Sequence, residues 1–229
     1  MTTVAVLINE PGTKLARLQD AFARHETTVD RVELHAGASF PDLESVDGVV
    51  ALGGSMGSYQ DDQYPYLTAE KAYLRRAVEQ DLPVLGICLG SQLLADALGG
   101  RVYLAARGEA GVVAIELTEE GRLSPMIGHL SGWGFQAHQD TFEIPPDAVL
   151  LAHSQLFPQA FSLGSALGIQ FHAETDAATA VSWMQSEPEH TLLRRAGVAL
   201  AEYSDQVWAH EETLARDAEM LFDRWIASL

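Results

Sequence analysis

The sequence predicts an α/β fold: an open, mostly parallel sheet with helices on both faces, a mixed β segment in the middle and a helical C-terminal tail. Three observations predict it. Short, continuous apolar runs alternate with longer stretches of helical periodicity from Val4 to Leu98. From Arg101 to Phe171 the pattern changes to closely spaced strand candidates with Gly, Pro and Asp turns between them. Near the end, Leu214, Ala218, Leu221 and Trp225 recur at helical spacing and form one apolar stripe.

Val4-Ala5-Val6-Leu7-Ile8 is continuous, β-branched and closed by Asn9 and Pro11-Gly12, which predicts a buried strand. Leu15, Leu18 and Phe22 then give a helix to about His25. A second strand is expected over Val29–Leu34. A third, Gly48–Leu52, runs into Gly53-Gly54-Ser55-Met56-Gly57. Helix follows from about Pro65 to Gln80, carrying Leu67, Tyr73, Leu74 and Val78. The fourth strand is Leu82–Gly86, and a helix from Gln92 to Leu98 is stopped by Gly99-Gly100. Strands apolar on both faces and separated by helices indicate a parallel sheet covered on both sides. Further strands are expected over Val112–Leu117, Val149–His153, Ala160–Leu163 and Leu167–Phe171, attached to the same sheet. No repeat or Ser/Gly linker breaks the chain, so residues 1–229 are expected to form one domain, with a helical extension over about 187–229. Trp208 and Trp225 on that tail are expected to pack against it.

The composition narrows the function. The 229 residues are 47% hydrophobic, an ordinary globular proportion. The net charge of −18 repels phosphate backbones and anionic lipid, which argues against nucleic-acid and membrane-surface roles. One cysteine rules out an intramolecular disulfide and any multi-cysteine metal site. The start lacks a basic segment, and Val4–Ile8 is too short for a signal peptide. No stretch approaches the roughly 20 apolar residues of a membrane helix. A soluble cytoplasmic protein is expected.

The most informative segment is Gly86-Ile87-Cys88-Leu89-Gly90-Ser91-Gln92. A nucleophile between a parallel strand and a helix sits in a tight, strained turn, and small residues two positions to either side let the neighbouring backbone come close. The helix after Cys88 aims free N–H groups at the sulfur and favours the thiolate. A lone cysteine is more often a small buried hydrophobe; the strand–Gly-x-Cys-x-Gly–helix setting is what singles out this one. A cysteine nucleophile needs a base, and the base needs orientation. His172 follows the apolar run Gly168-Ile169-Gln170-Phe171, and Glu174 stands two residues on. In extended chain both project to one face, about 6.6 Å apart at Cα, so the carboxylate can hold the ring. His25, His35, His190 and His210 lie on polar or helical stretches with no such setting. Gly53-Gly54-Ser55-Met56-Gly57 lacks the Lys-Ser/Thr ending of a phosphate-binding loop. Asp61 and Asp62 fit a solvated loop better than a metal site.

Together, the Cys88 segment and Gln170-Phe171-His172-Ala173-Glu174 resemble the class I (triad) glutamine amidotransferases, in particular the free-standing, GMP-synthase-like branch. The resemblance spans roughly residues 45–185 and includes Leu52–Gly57 and Ala137-His138-Gln139-Asp140-Thr141-Phe142. It implies a triad of Cys88, His172 and Glu174. It also implies an oxyanion hole from the N–H groups of Gly54 and Leu89, with substrate contacts from Gln92 and from a loop carrying His138, Gln139 and Asp140. This chain departs from the family at Ala173, where proline is usual, and at Gln139, where glycine is usual. The implied reaction is hydrolysis of the glutamine γ-amide through a γ-glutamyl thioester on Cys88, with ammonia passed to an acceptor. No metal or organic cofactor is required. The partners expected are glutamine or another γ-glutamyl small molecule and, if any protein, a separate synthetase subunit. The alternatives are hydrolysis of γ-glutamyl peptides or conjugates by the same triad, and a non-catalytic regulatory or binding subunit, against which the intact triad argues.

Overall fold

The computed structural model describes residues 1–186 and 191–229; His190 lies outside them. Four parallel strands, β1 (Thr3–Ile8), β2 (Thr28–Glu33), β3 (Gly48–Ala51) and β4 (Val84–Ile87), share a sheet with β10 (Ala166–Ile169), which runs parallel to β4. β9 (Pro158–Leu163), β8 (Val149–His153) and β6 (Glu116–Leu117) continue the sheet antiparallel. The order is β2-β1-β3-β4-β10-β9-β8-β6.

The continuous apolar strands follow from cover on both faces. Alternate side chains of β1 enter two different cores. Val4, Val6 and Ile8 pack with Leu18 and Phe22 of α1 (Arg17–Arg24) and with Phe222 and Trp225 of α7 (Leu200–Ile226). Ala5 and Leu7 pack with Leu67 and Leu74 of α2 (Tyr66–Glu79) and with Leu93 of α3 (Leu89–Ala97). The predicted stripe of Leu214, Ala218, Leu221 and Trp225 is buried throughout. Trp208 is not: it is 55% exposed, because it follows the inward-facing Val207 and points off the other side of α7.

The middle of the chain departs from expectation. Among the described residues β5 (Arg101–Ala114) and β7 (Trp133–Glu143) pair only with each other, as a separate antiparallel ribbon with a register shift between Leu104 and Glu109. The predicted strand Val112–Leu117 is therefore split between two sheets. Its first half belongs to the ribbon and only Glu116–Leu117 joins the main sheet, ahead of the short helix α4 (Glu119–Leu123). The ribbon has its own apolar partners. Ala110, Val112 and Phe135 pack against α5 (Ala177–Ser186), α6 (Thr191–Ala196) and the first half of α7. Alternation along a strand reports which side chains are buried, not which sheet buries them. Among the described residues no helix is long and apolar enough to cross a membrane.

Candidate active site

β4 stops at Ile87 and α3 starts at Leu89, three residues earlier than the sequence predicts, so Cys88 alone makes the turn between them. It does so at φ +53°, where a side chain clashes with its own backbone. Neighbouring bonds hold this conformation. The Cys88 N–H donates to Ile169 O at 2.9 Å. Its carbonyl accepts the N–H groups of Ser91 (3.0 Å) and Gln92 (3.1 Å) and the Ser91 hydroxyl (2.7 Å). The two flanking glycines let the backbone close: a Cβ on Gly86 would stand 2.6 Å from Gly90 O, and one on Gly90 would overlap the carbonyl of Ala51 on β3. Gly90→Ala is therefore expected to lower stability by at least ~1–3 kcal/mol. The check is urea unfolding at constant m; an unchanged midpoint would mean that α3 retreats from β3 without cost.

His172 and Glu174 do not continue a strand, as the sequence predicts. β10 ends at Ile169, and the chain bends through both residues. Two backbone bonds fix the bend: His172 N–H donates to Phe135 O at 2.8 Å, and Glu174 O accepts Arg17 N–H at 3.0 Å. The side chains still meet, with His172 Nδ1 donating to Glu174 Oε1 at 2.7 Å. That leaves the other ring nitrogen for Cys88, whose sulfur lies close enough to act on the charge of the ring. The rings of Phe135 (5.7 Å between centroids) and Trp183 (5.1 Å) pack on the imidazole. Burial disfavours charge on this ring. The Glu174 carboxylate and then the Cys88 sulfur outweigh burial, and they hold its pKa well above the ordinary histidine value. The arrangement favours an imidazolium between a carboxylate and a sulfur.

The three side chains open on a cleft of about 770 Å³, also lined by Gly54, Leu89, Gln92, His138, Gln139 and Asp140. Every site residue singled out from the sequence thus reaches one cavity. Gly54 packs against Leu89: a Cβ there would lie 2.9 Å from Leu89 Cδ2. Among the described residues no acceptor takes the N–H of either residue, whereas the next N–H, that of Ser55, goes to Glu10 Oε2 at 3.0 Å. Gln92 is tethered, donating to Asp140 O (3.2 Å) and Gln170 Oε1 (3.1 Å). His138 and Asp140 lie on strand β7, not on the expected loop. Both ring nitrogens of His138 are engaged, Nδ1 with Asp140 O at 2.8 Å and Nε2 with Glu109 Oε2 at 3.1 Å. Asp140 accepts from Tyr59 Oη at 3.2 Å. Burial raises its pKa, against the opposing effects of Tyr59, His138 and Arg195. Asp61 is no bare loop charge, for it accepts from Lys71 and Thr68.

Sequence reasoning missed Glu109, Tyr59 and Trp183. Glu109 is 4% exposed and gathers His138, Ser154 and Gln159 around one carboxylate. Its one sequence signal is a glutamate inside an otherwise small and apolar run, Gly108–Val113.

Comparison with known proteins gives the family and the fold. The chain is 32% identical over 159 residues to the glutamine amidotransferase-like protein YfeJ of Salmonella typhimurium, covering 64% of this chain and 65% of that one. It is 35% identical over 133 residues to a GMP synthase [glutamine-hydrolyzing] of Thermomicrobium roseum, covering 57% of this chain but only 24% of the relative. The chain thus spans just under two thirds of the first relative and about a quarter of the second. The crystal structure of a glutamine amidotransferase from Thermotoga maritima superimposes with a TM-score of 0.85 at 28% identity, covering 98% of each chain. The model of the family described as glutamine amidotransferase class-I matches residues 15–184. This chain belongs to the class-I glutamine amidotransferase family.

Proposed function

We propose that the cleft hydrolyses the side-chain amide of glutamine through a covalent γ-glutamyl enzyme. The observation that carries this reading is the His172–Glu174 hydrogen bond beside the Cys88 sulfur, all three facing the same cavity as the N–H groups of Gly54 and Leu89, which no acceptor among the described residues takes. The Cys88 thiolate attacks the γ-carbonyl carbon, and the C=O π electrons move onto oxygen. Gly54 and Leu89 donate to that oxyanion. The His172 imidazolium gives its proton to the departing nitrogen, the C–N bond breaks, and ammonia leaves a thioester behind. Neutral His172 then takes a proton from water as the water adds to the thioester. Collapse returns the thiolate, the imidazolium and glutamate. Glu174 keeps Nδ1 protonated and aims the other nitrogen at the sulfur. Gln92, Gln139 and Asp140 line the substrate end of the cleft, and His138 holds the Asp140 strand from behind. Residues 1–229 act as one such domain in a reducing, cytoplasmic setting. The ammonia goes to solvent or to a separate synthetase subunit.

A second reading has an observation of its own. The cleft falls within the ~300–1,000 Å³ that encloses drug-sized ligands, more than glutamine needs. Leu104, Trp183, Met184 and Leu192 give it an apolar wall. A γ-glutamyl conjugate would fit there, cleaved by the same chemistry with a larger amine leaving. The test is kcat/KM of the isolated chain on glutamine and on a panel of γ-glutamyl peptides and amides. Glutamine is expected to lead. A tenfold preference for a conjugate, ~1.4 kcal/mol in transition-state binding, would reverse the ranking.

A further inference from the structure

Behind the Gly53-Gly54 turn lies an acid that the chemistry above does not use. Glu70 on α2 is fully buried, and among the described residues no cation pairs with it. Its neighbour Lys71 turns away to Asp61 and Asp96, at 3.0 Å from each. Among the described residues the one hydrogen bond to its carboxyl group comes from Asn9 Nδ2, at 3.3 Å to Oε1. Asn9 closes β1 and is itself buried. The same Nδ2 donates to the carbonyl of Leu52 at 3.4 Å, and a Cβ on Gly54 would lie 3.3 Å from Asn9 Cβ. Asn9 therefore touches the turn at both ends, while Tyr66 Oη grips the Asn9 carbonyl at 2.7 Å. Two buried atoms beside these bonds, Asn9 Oδ1 and Glu70 Oε2, have no partner when the acid is written as a carboxylate. A carboxylic acid resolves both, because its O–H is the donor that the Asn9 oxygen lacks.

We propose that Glu70 is a positioning residue, an uncharged acid that pairs with the Asn9 amide and through it holds the Leu52–Gly54 turn so that the Gly54 N–H faces the cleft. The proposal rests on the reading of Gly54 as an oxyanion donor. Burial pushes the Glu70 pKa up to about 8, with the Asn9 bond opposing the rise. The other titratable groups near this spot are Tyr66, raised to about 12, and Glu10, whose carboxylate holds Ser55 at the far end of the turn. From α3, Asp96 is taken by Lys71. From the loop before α2 comes Tyr64, which acts on Tyr66 as Glu70 does and brings no positive charge. None supplies a positive charge to Glu70, so ionisation would leave a buried charge uncompensated and remove the donor to Asn9. The turn would then loosen as pH rises through that value.

The test follows the Gly54 amide resonance of ¹⁵N-labelled protein as pH is raised, in wild type and in Glu70→Gln. The glutamine keeps a donor for Asn9 Oδ1 and an acceptor for Nδ2 but cannot ionise. Wild-type Gly54 is expected to titrate with a midpoint of about 8, and Glu70→Gln to remain flat. Asn9→Ala cuts the relay and should also abolish the Gly54 titration. In turnover of glutamine, wild-type kcat should fall ~10-fold across the same midpoint with KM changing less than about twofold, and Glu70→Gln should hold its neutral-pH kcat further into the alkaline range. A Gly54 titration that persists in Glu70→Gln, or its absence in wild type, overturns the proposal. Absence of wild-type turnover on glutamine overturns the functional reading instead, and the resonance then decides Glu70 without it.

Discussion

Cys88→Ala is expected to abolish glutamine hydrolysis, with kcat falling by at least ~10⁴-fold, while the chain stays folded. The size of the loss follows from what remains. Gly54, Leu89 and the cleft would still bind the amide and polarise its carbonyl, but no atom is left to form the thioester. His172 would have to activate water from a position set for the sulfur. The structural cost is small because alanine keeps the Cβ, and the +53° turn is held by the carbonyl of residue 88 and its N–H, which the substitution leaves in place. The variant carries a second signature. The sulfur is one cause of the raised His172 pKa, so removing it lowers that pKa. A histidine raised on folding contributes stability that is complete below its unfolded value, ~6.5, and is lost as pH rises through its folded value. Wild type should therefore keep this contribution to higher pH than Cys88→Ala, visible as diverging Tm values on the alkaline side. A glutamine-like chloroketone should label wild type stoichiometrically and the variant not at all. Residual turnover close to wild type would remove Cys88 from the chemistry.

The parallel half of the sheet was legible because burial on both faces leaves a strong imprint: Val4–Ile8 and Gly48–Leu52 have almost no polar atoms to place. The elbow was legible for a related reason. Gly86 and Gly90 sit where any side chain would strike Gly90 O or Ala51 O, so the sequence records a backbone contact as missing atoms. The ribbon of β5 and β7 was not legible as a separate sheet, because Val112 and Phe135 are equally apolar whichever layer buries them. His138 and Asp140 were misplaced on a loop because polar residues on a strand that faces a cleft look like turn residues. Glu109, Asn9 and Glu70 were invisible for a deeper reason. Each is a polar residue whose partners come from 29 to 61 positions away, His138 for the first and each other for the last two. Periodicity reports burial along one element and carries no record of such pairings. The His172–Glu174 bond was foreseen with the wrong backbone. Spacing of two suits a strand, and here a bend pinned by Phe135 O and the Arg17 N–H brings the same atoms together.

Glu174→Gln separates orientation from nucleophilicity and carries the second large effect, an expected fall in kcat of ~10²–10⁴ with KM changed only a few-fold. The carboxylate accepts from Nδ1 whatever its own rotation, and so fixes the proton on that nitrogen. A carboxamide can instead turn its NH₂ toward the ring, and the proton then sits on the nitrogen that should face Cys88. Glu174 also leads the effects that raise the His172 pKa, so its neutralisation lowers that pKa and drains protons from the imidazolium. The variant should lose the proton donor for ammonia at a lower pH than wild type, so the alkaline fall in kcat moves down the pH scale. Iodoacetamide should still alkylate Cys88, because the sulfur, its turn and the α3 N-terminus are untouched. Stability near pH 7 should change little. The pair is only 5–7% exposed, so the lost attraction is offset by relief of burying a carboxylate whose Oε2 has no partner. Collapse of turnover with alkylation intact is the pattern of a residue that acts through His172. Loss of both would point to a disrupted elbow, and unchanged turnover would require another group to orient the imidazole.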